Sequence, residues 1–322
     1  MKIVMWIHVP SYRAAVLARI GDTAGVDLIL PERFEDVPAA LNGADGYISA
    51  GASAYTPEIE RAIRDAPSLR WFQSVSAGND NLEALGIRDG IAVTGSEGHS
   101  GPVVAEHAIA LLLSIAHAIP DWERARAAKV WKMPRTGTYK SIYGGTAVLI
   151  GLGHIGSEIA RRLKGLGMTV IGVTRSGTGG ADVDEAARIG DLHAVLPRAD
   201  AVLVAAPLTD ATRHLLDAAA FAACKPGAYI VNIARGGLID QLALIAALQS
   251  GQLGGAALDV ADPEPLPSDD PLWDAPNLIL VPHVGGSGST ESPRRLAETV
   301  KRNLDDFVAG RPFRTLLPYG KP

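Results

Sequence analysis

Six short runs in the second half of the chain are almost wholly apolar: Ala147–Ile150, Thr169–Val173, Ala201–Ala205, Ala228–Ile233, Ala256–Val260 and Leu278–Val281. A strand without polar alternation has no face to give to water, so such runs belong in a parallel sheet covered by helices on both sides. Helical segments separate most of them, which predicts a doubly wound α/β domain. The first hundred residues follow a looser version of the same rhythm, with short apolar runs at Ile3 to Ile7, Val26 to Leu30, Gly46 to Ser49 and Leu69 to Gln73. They predict a smaller parallel α/β domain. Between the two lies the small-residue break Ser96–Glu97–Gly98–His99–Ser100–Gly101, suited to a hinge. A helix apolar on nearly every face follows from about Val103 to Ala118, either buried or packed on a second subunit. One more helical segment, Ser292 to Val308, closes the pattern.

The first regular strand runs into Gly151–Leu152–Gly153–His154–Ile155–Gly156, and a helix follows with Ile155, Ile159, Leu163 and Leu166 on one face. A GxGxxG is a weak signal alone. Between a strand and a helix it reads as a phosphate loop: a tight turn, a close approach for a pyrophosphate, and close packing of helix on strand. The helix N-terminus adds unpaired N–H groups and a positive dipole end. After the next strand, where an NAD site places Asp or Glu for the ribose hydroxyls, this chain has Thr174–Arg175–Ser176. A guanidinium there can grip a 2′-phosphate bidentately, which favours NADP(H). If Arg175 is instead a solvated loop residue, NAD(H) also binds.

Anionic ligands must find such local donors, because the chain as a whole is acidic. Its 30 Lys and Arg against 35 Asp and Glu give a formal charge of -5, no general reason to bind nucleic acid or an anionic membrane. With 47% hydrophobic and 20% charged residues the chain is expected to be globular, and 322 residues suffice for two domains. The single cysteine, Cys224, allows no intrachain disulfide. That, with no apolar run long enough for a transmembrane helix and no signal-peptide pattern at the start, makes a cytoplasmic location the expectation.

Ligands of an open α/β sheet sit beyond the carboxyl ends of its strands. Just past the later strands come Arg235, Asp259, Glu264 (in Asp262–Pro263–Glu264–Pro265) and His283 (in Pro282–His283–Val284–Gly285–Gly286). These types suit hydride chemistry on a 2-oxo acid. Arg235 can bind a substrate carboxylate, His283 can exchange a proton with the carbonyl oxygen, and Glu264 can stabilise the imidazolium. Asp259 is better placed for the nicotinamide end of a cofactor. Singly, each could also be structural. His107 and His117 fall in the apolar helix, His193 and His214 in helices covering the sheet, and His154 in the phosphate loop. No spacing reads as a metal site, and Cys224 reads as a core residue.

Taken in order, these motifs resemble the D-isomer-specific 2-hydroxyacid dehydrogenase family. Val104–Ala105–Glu106–His107 is similar to its long-helix motif and GLGHIG to its cofactor loop. Ala206–Pro207–Leu208–Thr209, Val231–Asn232–Ile233–Ala234–Arg235–Gly236–Gly237, Ala257–Leu258–Asp259–Val260, Pro263–Glu264–Pro265 and Pro282–His283 follow. The resemblance implies a Rossmann cofactor domain at 100–286 and a smaller flavodoxin-like substrate domain made of 1–99 and 287–322. It implies Arg235, Glu264 and His283 as catalytic residues, and Ser76–Ala77–Gly78 with Arg235 as binders of the substrate. Cofactor contacts would come from Gly151, Gly153, His154, Ile155, Gly156, Arg175, Ser176, Pro207, Thr212, Ile233, Ala234, Asp259 and Gly285. It further implies a homodimer and a small 2-oxo or 2-hydroxy acid as substrate. Thr174–Arg175–Ser176 is similar to the loop of the family's glyoxylate and hydroxypyruvate reductases. Pocket residues would include Trp6, Tyr12, Ala50, Gly51 and Tyr55. The competing readings are an NAD(H)-sensing, corepressor-like binding protein of the same family and, less well supported by the motifs, formate oxidation.

Overall fold

The computed structural model describes residues 1–51, 54–76, 78–96, 98–131, 139–286 and 288–320. The chain divides into two units, Met1–Ser100 with Ser289–Pro322, and Gly101–Gly288. Both are parallel α/β structures: the larger is a Rossmann-like sheet and the smaller is flavodoxin-like.

The first unit contains β1 (Lys2–Trp6), β2 (Asp27–Ile29), β3 (Gly46–Ser49), β4 (Trp71–Ser74) and β5 (Ala92–Thr94), in the order 2-1-3-4-5. Every residue of β3 and β4 is buried, as a strand covered on both faces requires. The helix Glu291–Val308 packs on this sheet through Leu296, Ala297, Val300 and Leu304. Each of the larger of these side chains contributes about 1.5–3 kcal/mol on full burial. A buried polar contact fixes the register of that docking: Asn303 Nδ2 donates to Gln73 Oε1 at 2.7 Å and to Thr315 Oγ1 at 2.9 Å.

The second unit carries β6 (Thr146–Ile150), β7 (Thr169–Thr174), β8 (Glu185–Arg188), β9 (Ala201–Val204), β10 (Ala228–Asn232), β11 (Leu253–Leu258) and β12 (Leu278–Leu280). Their order is β12-β11-β10-β9-β6-β7-β8, all parallel. The order reverses between β6 and β9, and in open sheets such a switch point forms the binding crevice.

The apolar-run criterion misses β5 and β8. β8 is an edge strand whose Glu-Ala-Ala-Arg side chains mostly face water, whereas β5 is buried throughout and is the same length as β2 and β12. The long helix spans Gly101–Ala116, so His117 lies just beyond it, and a second helix, Ile119–Ala127, leaves at an angle of 67°. No single helix among the described residues is long and apolar enough to cross a membrane. His214, expected in a helix, sits in a turn with φ 51°; the intervening polar residues form a turn closed by Thr212 rather than a helical turn. Cys224 is buried at the end of the helix Ala218–Ala223 and donates to the Ala220 carbonyl at 3.3 Å.

Candidate active site

β6 ends at Ile150 and the loop turns into the helix His154–Gly165, both as the sequence reading placed them. Gly151 has φ 96°, a region open to glycine, and a methyl there would fall 2.6 Å from the Ala205 carbonyl oxygen. A methyl on Gly156 would lie 2.0 Å from the Gly151 carbonyl oxygen, so helix and turn can pack this closely only around a hydrogen. Around Gly153, by contrast, the space is open, and no side chain caps the helix that begins at His154. An uncapped helix N-terminus facing open space fits the pyrophosphate of a dinucleotide. His154 and Ile155 form the first turn of that helix.

Arg175 is the first residue after β7 and is exposed. The loop behind it is closed by hydroxyls: Ser176 Oγ donates to Thr178 Oγ1 at 2.9 Å, and Thr174 Oγ1 donates to the Thr178 carbonyl at 3.2 Å. Beyond β9, Thr212 Oγ1 donates to the Pro207 carbonyl at 2.8 Å and accepts from the Thr209 amide at 2.8 Å. That brings Pro207 and Thr212 into one turn at the same edge of the sheet. After β10, the Ile233 amide donates to the Val204 carbonyl at 3.3 Å and the Ala234 amide to Asn232 Oδ1 at 3.0 Å. Backbone contacts from this pair to a ligand therefore fall to their carbonyls.

Three catalytic candidates gather at the carboxyl ends of β10, β11 and β12. Arg235 follows β10, and its Nη1 donates to the Ala234 carbonyl at 2.7 Å. Gly236 presses against the segment after β11, where a methyl would fall 2.0 Å from the Ala261 carbonyl carbon. This close approach sets the Arg235 turn against the segment that carries Glu264. Glu264 Oε1 accepts from the Ala261 amide at 3.0 Å, and its Oε2 lies 2.7 Å from His283 Nδ1. One carboxylate thus anchors to its own turn and orients the imidazole, whose tautomer the bond fixes.

His283 sits in the left-handed region at φ 53°, uncommon for a residue with a side chain. Asp259 holds it there. The Asp259 carbonyl accepts from the His283 amide at 2.8 Å, and Oδ1 accepts from the Val284 amide at 2.8 Å. Gly285 donates to Oδ2 at 3.0 Å and to Oδ1 at 3.2 Å. His107 Nε2 approaches Oδ1 to 3.3 Å, close enough for an ion pair though not aligned for a hydrogen bond. The sequence reading gave Asp259 and Gly285 to the cofactor. The structure adds that the Asp259 side chain is 3% exposed and bonded to the Gly285 amide, so Asp259 fastens the loop carrying His283. His107, a weak candidate by sequence, backs that fastening. No local signal reveals this, because the contact joins a helix to a strand end far along the chain.

An apolar concavity of about 560 Å³ opens beside the pair, lined by Ala261, Pro265, Leu266, Trp273, Leu280 and Val281. Relatively apolar pockets with a few converging polar groups are the usual form of small-molecule sites.

In the other unit, Ser76 and Gly78 lie just past β4, and Ala77 falls outside the described residues. Ser76 Oγ donates to the Gly78 carbonyl at 2.6 Å, and Ser96 Oγ donates to the Ser76 carbonyl at 3.0 Å. Of the suggested pocket residues, Tyr55 is fully buried in the core and donates to the Gly86 carbonyl at 2.8 Å. Its flanking Thr and Pro start a helix whose inner face takes the ring into the core.

Comparison with known proteins returns one description repeatedly. Residues 109–285 match the model of the D-isomer specific 2-hydroxyacid dehydrogenase NAD binding domain. A glyoxylate reductase of Pyrococcus furiosus is 34% identical over 258 residues, covering 78% of this chain and 76% of its own. The crystal structure of a D-isomer specific 2-hydroxyacid dehydrogenase family protein from Aeromonas salmonicida superposes with a TM-score of 0.83 at 30% identity, covering 98% of both chains. The NADPH-dependent glyoxylate/hydroxypyruvate reductase of Sinorhizobium meliloti, solved with NADP and sulfate, gives a TM-score of 0.83 at 26% identity, again over 98% of each chain.

Proposed function

The chain belongs to the D-isomer-specific 2-hydroxyacid dehydrogenase family, whose members act on small 2-oxo and 2-hydroxy acids with a nicotinamide cofactor, and from that premise we propose that it reduces a glyoxylate- or hydroxypyruvate-like 2-oxo acid with NADPH. The observation that carries the reading is the 2.7 Å contact between His283 Nδ1 and Glu264 Oε2, at the sheet edge that also presents Arg235. With Nδ1 committed to the carboxylate, the proton exchanged with substrate travels on Nε2. Glu264 stabilises the imidazolium when His283 is charged, and the Asp259 clamp keeps the ring where that exchange can occur. Arg235 offers a planar fork for a carboxylate and so orients the neighbouring oxo group. When bound, the nicotinamide supplies the hydride.

The choice of NADP(H) rests on the loop after β7. Arg175 stands where an acidic residue would meet ribose hydroxyls, flanked by the hydroxyls of Thr174 and Ser176. A carboxylate there would repel a 2′-phosphate, and a guanidinium attracts it. We place the enzyme in the cytoplasm as a homodimer, for which light scattering should give twice the chain mass.

The test follows NADPH and NADH absorbance separately with glyoxylate, hydroxypyruvate, pyruvate and phenylpyruvate. Faster decay of NADPH with one of these is the expected result, and H283Q should remove it while leaving cofactor affinity within about twofold. General acid–base groups of this kind contribute about 10²–10⁴-fold. Decay with NADH alone overturns the cofactor choice, and tight cofactor binding with no turnover of any acid favours the sensor reading.

A further inference from the structure

The edge strand β8, which carries no apolar run, brings a second guanidinium to the ribose loop. β7 and β8 pair in parallel with Thr174 opposite Arg188, so Arg188 ends its strand level with the start of the Arg175 loop. Gly177, at φ 75°, turns that loop back across β8. A methyl on Gly177 would lie 2.9 Å from Arg188 Cγ and 3.7 Å from Nε, so the Arg188 stem runs against the loop backbone. Any side chain on residue 177 would collide with it, and the left-handed φ independently favours glycine.

The charges around this point are unbalanced. Both Arg175 and Arg188 are exposed, and neither guanidinium has a hydrogen bond or ion pair among the described residues. Elsewhere in the same unit Arg124, Arg161, Arg162, Arg198 and Arg213 each hold a carboxylate. Of the acids at the start of β8, Asp184 pairs with Lys164 and Glu185 with Arg198, and Asp182 acts on Arg161. Two cations left together without a counter-charge repel each other, and a dianion between them turns that repulsion into attraction.

We propose that Arg188 is a second anchor for a phosphate monoester on the adenosine ribose, acting with Arg175 and the hydroxyls of Ser176 and Thr178. The inference rests on the NADP(H) reading and deepens it. A phosphomonoester carries close to two negative charges and three acceptor oxygens, more than one exposed guanidinium satisfies. Arg188 arrives from a different strand, so the two forks grip the phosphate from two sides. The site would then favour 2′-phosphorylated over plain adenosine ligands by added attraction, with no acid after β7 to hold the plain ribose hydroxyls.

Calorimetry on the full chain tests this with two probes, adenosine 2′,5′-bisphosphate and adenosine 5′-monophosphate, which differ only in the 2′-phosphate. Arg188→Gln should weaken the bisphosphate by about 5- to 30-fold and leave the monophosphate within about twofold, with Arg188→Lys between. Unchanged bisphosphate affinity in Arg188→Gln, alongside a loss in Arg175→Gln, overturns the role of Arg188 and leaves the NADP(H) reading standing. Equal losses for both probes also overturn it, since Arg188 would then support the loop rather than the phosphate. A wild-type chain that binds both probes equally removes the NADP(H) reading, and this inference with it. Arg188 is an exposed edge residue, and unchanged thermal unfolding of both variants confirms that binding alone is being read.

Discussion

Substitution of Asp259 by Asn isolates what holds His283 in place. The carboxylate accepts from the Val284 amide at 2.8 Å and from Gly285 at 3.0 and 3.2 Å, and its side chain is 3% exposed. Hydrogen bonds to a charged acceptor contribute about 1.5–3 kcal/mol, against about 0.5–1.5 kcal/mol for neutral pairs. Asn keeps one oxygen for Val284 at neutral strength and turns its amino group towards the Gly285 amide. The loss is roughly 1 kcal/mol at the first contact and about 1–2 kcal/mol at the second. Opening of the loop should then become about 30- to 150-fold more frequent, at 1.4 kcal/mol per factor of ten. Amide hydrogen exchange at Val284 and Gly285 reads this directly, and should accelerate by that factor while strands of the sheet core keep their protection. Turnover should fall as well, because His283 immediately precedes these amides. Exchange within about threefold of the parent in a folded variant would refute the clamp. A fall in kcat with unchanged exchange would mean that Asp259 acts on a ligand directly.

Glu264→Gln should lower kcat by about 10²-fold or more with little change in cofactor affinity, since the acyl oxygen can still accept from Ala261 while the anion beside His283 is gone; unchanged kcat would remove Glu264 from the mechanism. Burial alone would raise the Asp200 carboxyl, but Lys225, the Thr146 amide and Lys140 outweigh it and bring it down to about 2. A depressed acid stabilises the fold above its ordinary range near pH 4 and loses that contribution as pH falls towards 2. Asp200→Asn should therefore cost about 1–2 kcal/mol at pH 7, after allowance for solvent screening, and the gap in denaturant unfolding should close below about pH 4. Gly156→Ala places a methyl against the Gly151 carbonyl oxygen, so affinity for the nicotinamide cofactor by calorimetry should drop at least about tenfold and stability by about 1–3 kcal/mol. Burial pushes the Cys224 thiol up to about 11, leaving about one thiolate in a thousand at pH 8; a disulfide reagent should react with it only at the rate of unfolding.

The sequence by itself determined the two α/β units and the order of their motifs. Short apolar runs bounded by turn residues read as strands covered on both faces, and a glycine loop between strand and helix is readable within a dozen residues. It also set Arg235, Glu264 and His283 on one edge, because in a parallel sheet every strand delivers its following turn to the same side. Tertiary structure alone decided the contacts that come from distant elements. His107 meets Asp259 across a helix packed on the sheet, and Asn303 meets Gln73 from 230 positions away. Arg188 reaches the Arg175 loop on an edge strand whose exposed residues leave no apolar signature. Periodicity records which face of an element is buried; it holds no record of which distant element covers that face, and pairings of this kind exist only once the strands are in order.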